Sequence, residues 1–271
     1  MHLLSLNVAQ LPEWLGEMKN TKERITQLCR LILDAQLEPD VLCFQELFSE
    51  TSRDIAQSLL STKYPHNVVD ERRRCVGVNS GLAVFSRHPI VDTYWMEFDR
   101  KRNIDLLTQK GCLAVRIQPT PLGMPVLVCT THLQAGGDSW FCTCCNAGTT
   151  ADQVKFKQIE QMSKWIREHA TSTDVVVLTG DFNLSPRENP LGQIQRFWPN
   201  ARDAFNARIT SYAYSVADNR RIDYAFVLVA PPSLNSNSTI EEVQDFTLTD
   251  HRAVVLQLTL HQAPLSSISR V

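Results

Sequence analysis

Residues 174–183 read DVVVLTGDFN, a run of aliphatic and β-branched residues that stops at a glycine, an acid and an amide. A short apolar run bounded by turn residues predicts a buried strand over Asp174–Thr179, with Asp181 and Asn183 at its end. Just upstream, Ala151–Ala170 reads as a helix with Ile159, Met162, Trp165 and Ile166 inward. Outward from this unit the alternation repeats. Leu3–Val8, Asp40–Gln45, Gly81–Ser86, Cys112–Ile117, Pro125–Thr131, Ile222–Val229 and Ala253–Leu260 read as strands. Asn20–Gln36 and Thr51–Leu60 read as helices, the first opened by a capping box of Asn20 and Glu23. His88-Pro89 ends one strand. The TPLG turn predicts an antiparallel hairpin between Cys112–Ile117 and Pro125–Thr131. So many apolar strands need cover on both faces. The expected class is α/β, two packed mixed sheets with helices outside. No repeat or Gly/Ser linker divides the chain, so residues 1–271 are expected to form one domain. The polar stretch 230–242, flanked by strands, reads as a surface loop.

The composition narrows the function. Of 271 residues, 43% are apolar and 21% charged, which excludes a disordered or collagen-like chain. The 27 Lys and Arg against 29 Asp and Glu leave a net charge of −2. Proteins that hold long nucleic acid usually carry a basic surplus, so that partner is disfavoured. Arg72-Arg73-Arg74 and Arg100-Lys101-Arg102 are either local phosphate-binding patches or solvated loops. The opening MHLLSLNVAQ has no basic region before a long apolar run, and no apolar stretch reaches membrane-spanning length. The expected location is the cytoplasm, with peripheral membrane contact left open. Cys29, Cys43, Cys75, Cys112 and Cys129 lie among apolar residues and read as buried free thiols. Cys142, Cys144 and Cys145 cluster without a partner at zinc spacing and read as a loop.

Most of the strands end in an acid, an amide or a histidine. Leu3–Leu6 leads to Asn7, Val41–Phe44 to Gln45-Glu46, and Val126–Thr131 to His132. Asp223 follows Ile222, and Thr249-Asp250-His251 precedes the last strand. Each has a bland reading: a satisfied turn, a helix cap, or an ion pair of Asp223 with Arg220 or Arg221. Together they form a carboxylate, amide and histidine set without cysteine. That set suits a hard divalent cation and phosphate-ester hydrolysis.

In this order, Asn7, Gln45-Glu46, Ser80-Gly81, Thr131-His132, Gly180-Asp181-Phe182-Asn183, Asp223-Tyr224 and Thr249-Asp250-His251 resemble the endonuclease/exonuclease/phosphatase superfamily. The resemblance implies a four-layer α/β/β/α sandwich with Mg2+-dependent phosphoester hydrolysis, Mn2+ being an alternative ion. It implies Glu46 as principal metal ligand, with Asn7 and Asp250 completing or adjoining the shell. Asp181 and Asn183 would position water and phosphate, His251 would be the general base oriented by Asp223, and His132 would bind the phosphoryl group. Asp181 is the competing candidate for the base.

Asn79–Ile90 (NSGLAVFSRHPI), Lys110-Gly111, and Thr131–Ala135 (THLQA) followed by a helix with Gln158, Gln161 and Trp165 resemble the neutral sphingomyelinase branch. The implied substrate is a choline-type lipid phosphodiester such as sphingomyelin. Lys110 would be a phosphate-side cation, or else a solvated lysine at a strand start. Trp140-Phe141 would be the candidate lipid-contacting tip, or else a buried or loop-anchored pair. A nuclease for abasic sites or single strands, a phosphoinositide or small-molecule phosphomonoesterase, and an inactive binding module on the same fold remain the alternatives.

Overall fold

The structure is a computed structural model that describes residues 1–11, 19–35, 38–72, 77–119, 123–136, 150–204, 221–230 and 248–259. Its strands are β1 (His2–Gln10), β2 (Val41–Leu47), β3 (His66–Val69), β4 (Ala83–Ser86), β5 (Ile90–Glu97), β6 (Gly111–Ile117), β7 (Val126–His132), β8 (Val175–Asp181), β9 (Arg202–Asp203), β10 (Asp223–Val229) and β11 (Val254–Gln257). Its helices are α1 (Thr21–Asp34), α2 (Glu50–Leu60), α3 (Ala151–His169) and α4 (Pro190–Gln195). One sheet has the order β11-β1-β2-β4-β3 and the other β5-β6-β7-β8-β10-β9. Both are mixed, since β1–β2 and β7–β8 pair parallel and the other neighbours antiparallel. The hairpin of β6 and β7 is present as expected.

The layers follow from strand periodicity, since alternate residues face opposite sides. In β8, Val175 and Val177 join Leu3, Val41, Cys43 and Val115 between the sheets. Val176 and Leu178 instead meet Ile159, Met162 and Ile166 of α3. In the other sheet, Leu4, Leu6, Leu42 and Phe44 pack against Ile25, Leu28 and Ile32 of α1 and Ala56 and Leu60 of α2. Three apolar interfaces therefore stack four layers, α/β/β/α. Cys29, Cys43, Cys112 and Cys129 are buried free thiols. No described helix is long and apolar enough to cross a membrane.

Several local expectations change. Asn20 sits in the left-handed region (φ 59°) and its side chain makes no cap, so the capping box with Glu23 is absent. Capping boxes stand instead at α3, between Thr150 and Gln153, and between Ser185 and Glu188. Strands β3 and β5 were not legible, because both are half-exposed and carry polar residues among the apolar ones. Trp165 is only partly buried, its ring tilted against that of His169 with centroids 4.7 Å apart. Cys75, Trp140-Phe141, the Cys142/Cys144/Cys145 cluster and almost all of 230–242 lie outside the described residues.

Candidate active site

The face of each strand that packs between the sheets turns from apolar to polar at one end of the sandwich. Along β8 the inward positions are Val175, Val177, Thr179 and Asp181. Along β7 they are Val126, Val128, Thr130 and His132. Parallel register places His132 opposite Asp181, and the antiparallel neighbour places Asp223 opposite Asp181. Three functional side chains thus stand in a row across β7, β8 and β10. The close approach of β7 to β8 needs Gly180: it has φ 137°, and a Cβ there would lie 2.0 Å from the Thr131 carbonyl oxygen.

The facing sheet supplies Asn7 and Glu46. Glu46 adopts φ 59°, a left-handed conformation that costs a non-glycine residue about 1–3 kcal/mol. Asn7 Nδ2 donates to Glu46 Oε1 at 3.0 Å and to Asp181 Oδ2 at 3.1 Å, while Asn7 Oδ1 accepts from the Ala9 amide at 3.0 Å. The asparagine therefore aligns two carboxylates from opposite sheets. Gln45, next to Glu46, donates to Thr130 Oγ1 of the opposite sheet at 2.9 Å.

Asp181 Oδ2 is the centre of the cluster. His132 Nε2 lies 3.6 Å from it and 3.7 Å from Glu46 Oε1, and His251 Nε2 lies 3.8 Å from it. His251 Nδ1 bonds Asp223 Oδ2 at 2.8 Å. Two ligand-competent groups result, Glu46–His132–Asp181 and Asp181–Asp223–His251, sharing Asp181. Asp223 pairs with His251, Arg221 pairs with Asp203, and Arg220 lies outside the described residues. Asp250 is half-exposed at the edge, its Oδ1 4.0 Å from His251 Nε2. Asn183 (φ 50°) donates its backbone amide to Asp181 Oδ1 at 2.8 Å, and its side chain reaches the Leu133 carbonyl at 3.3 Å.

Lys110 is buried rather than solvated. Its Nζ contacts Asp105 at 3.0 Å, His132 Nε2 at 3.0 Å and the Leu133 carbonyl at 3.1 Å. An ammonium group only donates, so His132 accepts at Nε2 and carries its proton on Nδ1. All three hydrogens of Lys110 are engaged within the protein.

The charges perturb one another strongly. Burial, then the Asp223 charge, raises the Asp181 carboxyl above its ordinary range. Burial also raises Glu46, against the hydrogen bond from Asn7. Burial, with the charges of Lys110 and His251, holds His132 well below its usual value. Burial works against the charged form of His251 too, but the charge and hydrogen bond of Asp223 overcome it and raise His251 well above the ordinary range. Carboxylates that repel in a buried site, with amide and imidazole beside them and no thiolate, form a donor set fitted to a hard divalent cation.

Sequence reasoning did not find two supports of this site. Arg24, on the buried face of α1, donates to the Leu248 carbonyl at 2.9 Å and to the Ala9 carbonyl at 3.0 Å. It ties the loop bearing Asp250 and His251 to the end of β1, where Thr249 Oγ1 also donates to the Asn7 carbonyl at 2.7 Å. An arginine at helical spacing with Ile25 and Leu28 was the available signal. Asp105, the partner of Lys110, stands five positions before it in a turn that was not read as an element.

The endonuclease/exonuclease/phosphatase family pattern matches residues 4–251, which include every one of these groups. The chain belongs to that family. Among curated relatives, a sphingomyelinase of Dictyostelium discoideum is 26% identical over 172 residues, covering 55% of this chain and 38% of that protein. Sphingomyelin phosphodiesterase 5 of Danio rerio is 29% identical over 172 residues, covering 54% of this chain and 28% of that protein. The chain thus matches well under half the length of these relatives. Among solved structures, a Staphylococcus aureus beta toxin variant with bound magnesium ions superposes with a TM-score of 0.73 at 20% identity, over 94% of this chain and 98% of that one. Danio rerio TDP2 complexed with single-strand DNA product gives 0.67 at 16% identity, over 96% and 98%. These likenesses support the four-layer fold, and the sphingomyelinase-named relatives favour the neutral sphingomyelinase-like branch.

Proposed function

We propose that this protein is a divalent-metal-dependent phosphodiesterase whose substrate is a lipid phosphodiester, sphingomyelin cleaved to ceramide and phosphocholine. The observation that carries the reading is the pair of acid–histidine groups joined at Asp181, one at each side of a single carboxylate. Glu46 and Asp181 would hold the metal, with Asp250 and Asn7 adjoining it. Mg2+ is the expected ion and Mn2+ a substitute. When bound, such an ion polarises phosphoryl oxygens and offsets the negative charge that would repel a phosphate.

The remaining roles belong to the protein's own side chains. His251, oriented at 2.8 Å by Asp223, would serve as general base from its neutral form, taking the proton of water on Nε2. Asn183, locked against Asp181, sits where it can orient water and phosphate. His132 would contact the phosphoryl group beside the buried Lys110 ammonium, which acts as the phosphate-side cation from inside the protein. The bound magnesium of the beta toxin structure and the sphingomyelinase names of the relatives support this assignment.

A second reading, a nuclease of the same fold, is favoured by the single-strand DNA product bound to TDP2. The net charge of −2 weighs against it. The test is a substrate panel with Mg2+ and with Mn2+: sphingomyelin, lysophospholipids, phosphoinositides, abasic duplex and single-stranded DNA. Turnover of sphingomyelin over the others supports the proposal. Preference for either DNA overturns it in favour of the nuclease, and preference for phosphoinositides overturns it in favour of a phosphatase.

A further inference from the structure

Helix α3 carries buried polar residues that the proposed chemistry does not use. Gln158 is 1% exposed, on the helix that buries Ile159, Met162 and Ile166 against the sheet. A buried side-chain amide must place both its oxygen and its NH2 group. Gln158 Oε1 accepts the Gln134 N–H at 2.8 Å, and its Nε2 donates to the Arg100 carbonyl at 2.7 Å. Both partners are backbone groups of loops that flank the candidate site. A backbone N–H on one side and a carbonyl on the other leave the amide a single orientation.

The chain after β7 is held one peptide at a time. The Leu133 N–H donates to the Asp181 carbonyl at 2.9 Å, the Gln134 N–H to Gln158, and the Ala135 N–H to Asp105 Oδ2 at 2.8 Å. The Gln134 N–H shares one planar trans peptide with the Leu133 carbonyl, so the two point to opposite sides. Holding the N–H on Gln158 therefore directs the carbonyl the other way. There it accepts from Lys110 Nζ at 3.1 Å and from Asn183 Nδ2 at 3.3 Å. Lys110 Nζ in turn donates to His132 Nε2 at 3.0 Å. One turn earlier on α3, the buried Lys155 Nζ donates to the Asn183 carbonyl at 2.8 Å. The helix thus holds Asn183 by its backbone directly and by its side chain through one peptide.

We infer that Gln158 is a positioning residue of the candidate active site, setting the Leu133–Gln134 peptide so that one carbonyl orients both Lys110 and Asn183. Its effect on turnover rests on the proposed roles of Lys110, His132 and Asn183. Its effect on their geometry does not. Without Gln158 the peptide has no bond to fix its rotation, a buried ammonium hydrogen loses its fixed acceptor, and His132 Nε2 loses the seat of its donor. Gln161 is the natural comparison, one turn further along α3. It accepts the Asp99 N–H and donates to the Glu97 carbonyl, both at 3.1 Å. It therefore makes the same two kinds of bond to the end of β5. That segment reaches the Lys110 backbone through the Phe98 N–H, and these bonds hold no side chain of the site.

The test compares Gln158→Met, Gln158→Glu and Gln161→Met in the full chain, with two readouts. The first is long-range proton–nitrogen NMR of isotope-labelled histidine in EDTA, with His132 assigned from the His132→Ala spectrum. The second is Mg2+-dependent hydrolysis of sphingomyelin in detergent micelles, well below the melting temperature. Methionine keeps the length of glutamine and removes both bonds, so Gln158→Met should shift the His132 Nε2 signal and lower kcat about tenfold or more, with KM little changed. Gln158→Glu keeps an oxygen for the Gln134 N–H and should restore the wild-type signal and most of kcat. Gln161→Met should lower the melting temperature yet leave the His132 signal and kcat as in the wild type. Should Gln158→Met fail to fold, Gln158→Asn, an amide one methylene too short, carries the same expectation. An unshifted His132 signal in the Gln158 variant overturns the inference. So does an equal shift and equal loss of kcat in Gln161→Met, or a Gln158→Glu protein no better than Gln158→Met. A wild type that turns over no sphingomyelin sinks the substrate assignment instead, and the histidine spectra still decide the positioning role.

Discussion

Replacing Glu46 by Gln should make the metal-free protein more stable while removing its response to metal. Glu46 and Asp181 converge on the Asn7 amide at 3.0 and 3.1 Å, two carboxylates from facing sheets with burial disfavouring both charges. Gln keeps the shape and the oxygen that accepts from Asn7, and it deletes one of two repelling charges. Relief of buried like charge should be worth about 1 kcal/mol, or about 2–4 °C in melting temperature for a chain of this size. In the wild type, Mg2+ at about one hundred times its dissociation constant should add about 2.7 kcal/mol, or about 5–11 °C. Scanning fluorimetry of both proteins after EDTA treatment, then with Mg2+ or Mn2+, reads each effect without any substrate. The wild type should gain the full shift. The variant should melt higher than the wild type in EDTA and gain nothing from either ion. A wild type indifferent to both ions, or a variant that gains the same shift, would refute the metal assignment.

Three further perturbations separate positioning from stability. Asp223→Asn removes the charge behind the 2.8 Å bond to His251. A charge-assisted bond of about 1.5–3 kcal/mol corresponds to a fall in kcat of about ten- to hundredfold with KM little changed; a fall below threefold would remove His251 from the base role. Arg24→Ala leaves the Leu248 and Ala9 carbonyls without their donor. It should lower unfolding stability by about 1–3 kcal/mol in urea and slow turnover by loosening the Asp250–His251 loop, and Arg24→Lys should recover only part of either. Asp70 is buried. Burial opposes its charge, but Arg72 and the Ser80 amide hold its carboxyl below the ordinary value of 3.8. A depressed folded value stabilises above the unfolded one and is lost as pH falls through the folded one. Asp70→Asn should therefore destabilise at pH 7, and its gap from the wild type should close in urea melts below about pH 4.

The central strands were legible because their signal is local. Val41–Phe44, Val126–Thr131 and Val175–Thr179 are buried on both faces, so their sequences are nearly continuous apolar runs. Strand β5 sits at a sheet edge and β3 likewise, and their mixed residues satisfy half-exposed faces, which weakens any apolar pattern. Asn20 looked like a helix cap by residue type, yet its left-handed backbone directs the side chain away from that role. Lys110 read equally as a phosphate-side cation or a solvated lysine, because nothing beside it in sequence discloses that a turn folds Asp105 onto it. Arg24 was readable as an arginine on an apolar helix face, but its acceptors lie on β1 and on a loop 224 residues away.

The sequence by itself determined where the buried strands run and which end of each is polar, because both signals need only neighbouring residues. It therefore placed Asn7, Glu46, His132, Asp181, Asp223 and His251 in one candidate set. Only the tertiary structure decided their pairings. Asn7 bridges Glu46 and Asp181, Asp223 holds His251, and Lys110 donates to His132. Those contacts depend on strand order, register and the approach of two sheets, which are settled by burial across the whole chain rather than by any one segment.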